Sequence, residues 1–340
     1  GVTVNYAGRL SSLGHGGQIL ASEAFVQELE AIPAPIALRN LGFYTLLSGQ
    51  EVGKVYQVTH PELEPFFYRL RFVNPVPHNL PQNASHYFGQ AELVQQILYA
   101  IPLHPLITLI SSDGFGKTRI ALEVSKVVQP CEGEGVWYVD LNENRSGEQI
   151  LAEVLEVAPT ELYATLREKR VLIICDGCKK NPQMALEFAE GLLQNCPEIR
   201  LLMCCLVPFG HPRETVISIP PLPTPSEEIE SDLALFTVND SVALFVDRVC
   251  THTPSFQVDT TNVIQVGRIC RYLEGIPYAL ELAAMRCRDS SLQAVCEELE
   301  AASSVGEACS TLARVIAWSY EKLEETPQIL LQRLSVLSGV

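Results

Sequence analysis

The sequence is short of positive charge. Its 24 Lys and Arg residues face 40 Asp and Glu over 340 residues, for a formal net charge of −16. So acidic a chain has no bulk electrostatic means of gripping nucleic acid or an anionic lipid surface, and neither partner is expected for this segment. No apolar run approaches the ~20 residues of a membrane span, and no basic-then-apolar signal opens the chain at Gly1-Val2-Thr3-Val4. Internal repeats and low-complexity tracts are missing too. The 11 cysteines are odd in number and scattered, so they read as reduced thiols and not as a secreted disulfide framework. These absences predict a soluble, cytoplasmic protein. With 47% hydrophobic and 19% charged residues the chain can bury a core, which excludes a disordered tail. The chain opens on Gly1 in place of Met, and Leu334-Ser335-Val336-Leu337 reads as a helix cut short, so truncated domains are expected at one or both ends.

Residues 1–62 carry a helix with Val4 and Ala7, a Gly-rich turn at Gly14-His15-Gly16-Gly17, and a strand Gln18–Ala21. Ser22 is placed to cap a helix bearing Phe25, Val26 and Leu29. Strands Leu38–Thr45 and Lys54–Thr59 follow, joined by a Ser48-Gly49-Gln50 turn. Residues 63–85 form a stiff Pro-rich linker, within a stretch that holds Pro61, Pro65, Pro75, Pro77 and Pro81. The pattern then changes. Leu106–Ile110, Val136–Val139, Val171–Cys175, Leu201–Leu206 and Val216–Ile219 are short continuous apolar runs, the mark of parallel strands buried on both faces. They alternate with the amphipathic segments Thr118–Val128, Gln149–Leu155 and Met184–Leu193, which predicts a doubly wound α/β domain over 86–225. Beyond Pro220-Pro221-Leu222-Pro223 the periodicity is helical, giving an all-α domain over 226–303 and a further start over 304–340.

Ser111-Ser112-Asp113-Gly114-Phe115-Gly116-Lys117-Thr118 follows the first buried strand and opens a helix. There, the backbone N–H groups of a Walker A loop wrap phosphates, Lys117 reaches the terminal ones and Thr118 binds Mg²⁺. The pattern departs from G-x-x-x-x-G-K-[ST] in Ser111 for the first Gly and in Asp113 within the loop. The bland alternative is an ordinary Gly-containing strand-to-helix turn, against which Gly116-Lys117-Thr118 argues by its context. Val171-Leu172-Ile173-Ile174-Cys175-Asp176 has the Walker B form, a buried strand ending in a carboxylate that holds Mg²⁺ through water. Any strand can end in Asp, so Asp176 gains weight only from its place in the same α/β pattern.

Residues 79–340 resemble the STAND-class P-loop NTPases of the NB-ARC type, found in large ATP-dependent bacterial regulators. The resemblance starts at Asn79-Leu80-Pro81 with Tyr87-Phe88-Gly89, the lead-in that covers adenine in that family. It runs through Gly116-Lys117-Thr118-Arg119, Cys175-Asp176, Pro220-Pro221-Leu222 and Ala243-Leu244-Phe245-Val246-Asp247-Arg248. Its most specific piece is Glu274-Gly275-Ile276-Pro277-Tyr278-Ala279-Leu280, similar to the family's Gly-Leu-Pro-Leu element, whose proline touches bound nucleotide. Trp318-Ser319-Tyr320 with Leu323 matches the opening of a winged-helix domain. The resemblance implies ATP or ADP with Mg²⁺ as ligands, held by Gly114, Gly116, Lys117, Thr118, Arg119, Asp176 and Pro277, with Thr118 and Asp176 at the metal. It also implies a switch in which the α/β and helical domains clamp adenine nucleotide and govern an effector, with protein partners or self-association on switching. Departures bear on turnover. Cys204-Cys205-Leu206 stands where the family has Thr-Ser-Arg with its γ-phosphate sensor, Gly177-Cys178-Lys179 follows Asp176, and Gly89-Gln90-Ala91 replaces Gly-Arg-Glu. Nucleotide binding is expected, with slow or absent ATP hydrolysis.

Residues 1–60 resemble the C-terminal end of a class III adenylate/guanylate cyclase domain, a small α+β fragment. Val4-Asn5-Tyr6-Ala7-Gly8-Arg9-Leu10 is similar to the helix whose Asn and Arg stabilise the transition state, which points to Asn5 and Arg9. The half carrying the metal-binding aspartates is not in this sequence, so no cyclase activity is expected from the chain. Two other readings stay open: part of a cyclase whose catalytic half lies elsewhere, and a nucleotide-free interaction scaffold. Cys175-x-x-Cys178 with Cys204-Cys205 suggests a zinc or redox site, against the plainer reading of buried small hydrophobes. His60, His78, His86 and His104 lack metal-ligand spacing, and Glu227, Glu228, Glu230 and Asp232 read as a solvated helix start.

Overall fold

The computed structural model describes residues 7–8, 10–11, 13–29, 32–33, 35–45, 51–63, 78–81, 86–128, 135–142, 145–303 and 310–337. The chain divides into two compact units. One gathers Gly1–Asn83, Val94–Ile110 and Thr118–Ser218, and the other Ala84–Leu93, Ser111–Lys117 and Ile219–Val340.

The first unit holds two sheets. Strands β1 (Leu20–Ser22), β2 (Ala37–Thr45) and β3 (Glu51–Thr59) form an antiparallel sheet in the order β1-β3-β2. Leu20 faces Gln57 and Leu38 faces Val58, with a register slip between Asn40 and Gly42. Ser22 caps helix α1 (Glu23–Gln27) as expected, its hydroxyl accepting from the Phe25 N–H at 3.2 Å. The expected strand Gln18–Ala21 starts two residues later, where pairing with β3 begins. Leu10, Leu13, Ala21, Leu41 and Val55 are its buried apolar side chains among the described residues. Asn5, Arg9 and the Ser48-Gly49-Gln50 turn lie outside the described residues, as does most of the 63–85 linker.

The second sheet is α/β and entirely parallel. Its strands are β4 (Leu106–Ile110), β5 (Val136–Asp140), β6 (Leu172–Asp176), β7 (Arg200–Cys205) and β8 (Glu214–Ser218), in the order β5-β6-β7-β4-β8. Ile173, Cys175, Leu201, Met203 and Cys205 join a core with Phe188, Ala189 and Leu192 of helix α6 (Pro182–Asn195) and with helices α4 (Gly147–Val154) and α5 (Leu162–Leu166). The alternate residues Leu172, Ile174, Leu202 and Cys204 are buried as well, so both faces are covered. That is why these strands read as unbroken apolar runs. Helix α2 (Ala91–Ala100) precedes β4 in the chain, and helix α3 (Lys117–Val128) follows it. Because β4 lies between the later strands β7 and β8, the chain leaves its carboxyl end where the strand order reverses, the usual place for a ligand crevice in such sheets.

The second unit is helical: α7 (Leu233–Thr237), α8 (Asp240–Cys250), α9 (Val263–Tyr272), α10 (Pro277–Arg286), α11 (Leu292–Ser303), α12 (Thr311–Glu321) and α13 (Glu325–Leu337). Phe236, Phe245, Val266, Ile269, Leu280, Ala283 and Trp318 share its core. One expectation is corrected here. Glu230 is not a solvated acid, for its half-buried side chain pairs with Arg271 of α9 at 2.8 Å, while Asp232 accepts from the Ala234 and Leu235 N–H groups to cap α7. An acid facing a helix that comes later in the chain gains a partner that local sequence does not reveal.

Candidate nucleotide-binding site

The loop between β4 and α3 is built from two left-handed glycines. Gly114 has φ +81° and Gly116 φ +89°, a region that costs an L side chain roughly 1–2 kcal/mol. Ser111 is not among the positive-φ residues, so serine in place of the first glycine carries no backbone strain. Lys117 Nζ donates to the Ser111 carbonyl at 2.8 Å and to the Ser112 carbonyl at 2.9 Å, which bends the side chain back along its own loop. Asp113 is exposed at the turn.

The same unit brings a second element to this loop. Pro277 occupies the first turn of α10, with Ile276 extended before it, and the next N–H, from Tyr278, donates to the Gly114 carbonyl at 3.1 Å. A Cβ on Gly114 would stand 2.9 Å from Leu312 of α12 and 3.2 Å from Tyr278. Gly275, at φ +66°, accepts at its carbonyl from the Leu222 N–H at 2.9 Å. A Cβ there would fall 1.9 Å from the Leu222 carbonyl oxygen. The Pro220-Pro221-Leu222 run and the Gly275-Ile276-Pro277 turn, separate motifs in sequence, are thus one backbone-bonded piece.

Thr118 and Asp176 meet in the first unit. Thr118 Oγ1 donates to Asp176 Oδ2 at 2.5 Å, joining the start of α3 to the end of β6. The Tyr138 hydroxyl donates to the same oxygen at 3.1 Å, and the Gly177 N–H to Oδ1 at 2.8 Å. Burial, then the charges of Asp176 and Asp140, push the Tyr138 phenol well above its ordinary range, so it stays a donor. A threonine hydroxyl beside one carboxylate is a hard-oxygen donor set. It suits Mg²⁺, which takes one or two protein carboxylates and draws its other ligands from phosphate and water. Arg119 is partly buried in the first turn of α3.

Sequence reasoning missed Tyr138 and its buttress. On the edge strand β5, the Tyr138 N–H donates to Asn79 Oδ1 and its carbonyl accepts from Asn79 Nδ2, both at 2.7 Å. The periodicity of β5 marks Tyr138 as strand but not as a neighbour of Asp176, which needs the strand order.

Of the two readings of the thiols, buried small hydrophobes fit the structure better than a zinc site. Cys175, Cys178, Cys204 and Cys205 are buried free thiols, and among the described residues no group of three or more His, Cys, Asp or Glu is arranged for a metal ion. Contact with Cys178, followed by burial, pushes the Cys205 thiol up, and burial does the same to Cys175. Enclosed in the core, the four thiols pack as small hydrophobes. His86 pairs with Asp247 at 3.0 Å. No helix among the described residues is long and apolar enough to cross a membrane.

No family model matches the chain. It is 25% identical over 308 residues to an uncharacterized protein of Mycobacterium tuberculosis, which covers 85% of this chain and 75% of that protein. It is 29% identical over 252 residues to a protein provisionally named an HTH-type transcriptional regulator in the same organism, covering 69% of this chain but only 27% of the relative. Among solved structures it is similar to a STAND protein with a tetratricopeptide repeat sensor from Pyrococcus horikoshii, at TM-score 0.41 and 11% identity, over 67% of this chain and 34% of that one. It is also similar to C. elegans PCH-2, at TM-score 0.34 and 11% identity, over 93% and 95% of the two chains.

Proposed function

We propose that the chain is an adenine-nucleotide-binding switch module of the STAND type, taking ATP or ADP with Mg²⁺ and hydrolysing ATP slowly or not at all. The observation that carries this reading is the Thr118–Asp176 contact. A hydroxyl directly after the Gly-x-Gly-Lys turn meets a carboxylate at the end of a second parallel strand, 58 residues away in sequence. In this reading Gly114, Gly116 and Lys117 receive the phosphates, with Arg119 beside them at the helix start. Thr118 and Asp176 hold Mg²⁺, which when bound neutralises phosphate charge. The Pro277 turn, bonded to the loop through Tyr278, reports which nucleotide is present. The likeness to a protein named a transcriptional regulator favours a regulatory output, exerted through protein partners or self-association. Residues 1–62 are read, from the sequence resemblance alone, as a cyclase-like fragment without activity of its own. The five segments expected from sequence, with their four boundaries, belong to the same proposal.

Thermal melts of the full chain with and without Mg-ATP test it. A ligand that binds only the folded state at 100 times its Kd adds about 2.7 kcal/mol, so the parent should melt higher and Lys117→Ala should not respond. Identical parent melts at millimolar nucleotide refute the proposal.

A further inference from the structure

Asp176 Oδ2 receives two hydroxyls, and only one belongs to the phosphate-loop helix. The other is the Tyr138 phenol, at 3.1 Å, from the neighbouring strand β5. Strand register sets this up. Asp140 lies opposite Asp176 and Tyr138 opposite Ile174, so the Tyr138 ring lies one strand over and two residues back from the carboxylate. The ring's backbone is held from the open side of the sheet. β5 is the edge strand, and the Asn79 amide takes both the N–H and the carbonyl of Tyr138 at 2.7 Å, as a further strand would. Asn79, Tyr138, Asp176 and Thr118 thereby form one hydrogen-bonded series in a single unit.

We infer that Tyr138 is a positioning residue for the magnesium site, holding the Asp176 carboxylate against Thr118, with Asn79 fixing Tyr138 in turn. This rests on the nucleotide reading above. A carboxylate anchored through Oδ2 by two hydroxyls and through Oδ1 by the Gly177 N–H has its orientation set before a cation arrives. Removing the phenol hydroxyl leaves the carboxylate in place but frees its rotation. Loss of such an outer hydrogen bond typically lowers metal affinity by tenfold or more.

Calorimetric titration of ADP into the full chain, once with Mg²⁺ and once with EDTA, separates this role from a structural one. The parent should bind more tightly with Mg²⁺. Tyr138→Phe should lose roughly tenfold of that gain while its affinity in EDTA stays at the parent value. Asn79→Ala, which keeps the phenol, should lose a smaller share in the same direction and serves in its place if Tyr138→Phe does not fold. A Tyr138→Phe or Asn79→Ala protein that matches the parent in both titrations, or is weakened equally in both, overturns the inference. A parent that binds in neither titration overturns the nucleotide reading itself, and this inference with it.

Discussion

Thr118→Val keeps the shape of the side chain and removes the one hydroxyl that links α3 to β6. In the parent that hydroxyl gives Asp176 a 2.5 Å hydrogen bond. A bond to a charged acceptor contributes about 1.5–3 kcal/mol. Thr118 and Asp176 are both half-buried, so water can partly replace the lost donor, while Tyr138 and the Gly177 N–H remain. The expected loss is therefore near the lower end, ~1–2 kcal/mol, read as a lower urea midpoint without nucleotide. The ligand arm carries the functional content. If the Thr118 oxygen is a ligand of Mg²⁺, Thr118→Val should respond to nucleotide in EDTA like the parent and gain nothing from added Mg²⁺, whereas Thr118→Ser should keep both responses. A Thr118→Val protein with the parent's urea midpoint and the parent's Mg²⁺ response would refute the reasoning.

Gly275→Ala places a Cβ 1.9 Å from the Leu222 carbonyl in a left-handed conformation. Conformational strain together with disruption of the Leu222–Gly275 hydrogen bond should destabilise by about 2–3 kcal/mol; a urea midpoint equal to the parent's would show that the two segments are not bonded. Burial pushes the Cys270 thiol up to about 12, against ~8.5 in an unfolded chain. Because the folded value is the higher one, the native state keeps its proton where the unfolded state loses it. The stabilisation is complete below about pH 8.5 and is lost as pH rises towards 12, at no more than ~1.4 kcal/mol per pH unit. Urea midpoints between pH 8 and 10 should fall more steeply in the parent than in Cys270→Ala, and equal slopes would count against it.

What sequence could show was whatever a strand or helix declares by itself. Leu106–Ile110 stands as β4 with the bounds its apolar run predicts, because the residues at its two ends are aliphatic and the strand is largely buried. Ser22 caps its helix and Pro277 opens α10 for equally local reasons. Thr118 and Asp176 could be singled out because a Gly-x-Gly-Lys-Thr turn constrains neighbouring residues and a buried strand makes its terminal charge stand out. The Tyr138–Asp176 bond, the Tyr278–Gly114 bond and the Glu230–Arg271 pair could not. Each joins elements whose adjacency depends on strand order or helix packing, and periodicity records which face is buried without saying what buries it. The choice between the two cysteine readings turns on a related point. A C-x-x-C spacing fixes distance along the chain, whereas chelation needs converging and accessible thiolates, and burial in the sheet withholds that access.

The departures from the P-loop pattern weigh unequally once geometry is known. Ser111 sits where no left-handed backbone is required, so its side chain imposes no strain on the turn. Asp113 is exposed, and at a surface the effective dielectric approaches that of water, where two unit charges ~6 Å apart interact by only about 0.7 kcal/mol. Neither change argues strongly against binding. Leu206 is different in kind. It follows β7 as a 42% exposed aliphatic residue and has no charge to offer a transferring phosphoryl group. On the proposed reading, a missing cation at that point removes stabilisation from the transition state and leaves ground-state contacts intact, so turnover falls without a matching loss of affinity. On the proposed reading, a module that binds adenine nucleotide but turns it over slowly changes state by exchange. Its output then follows the nucleotide it has loaded, and the lifetime of each state is set by release from the loop that Gly114, Tyr278 and Leu312 enclose.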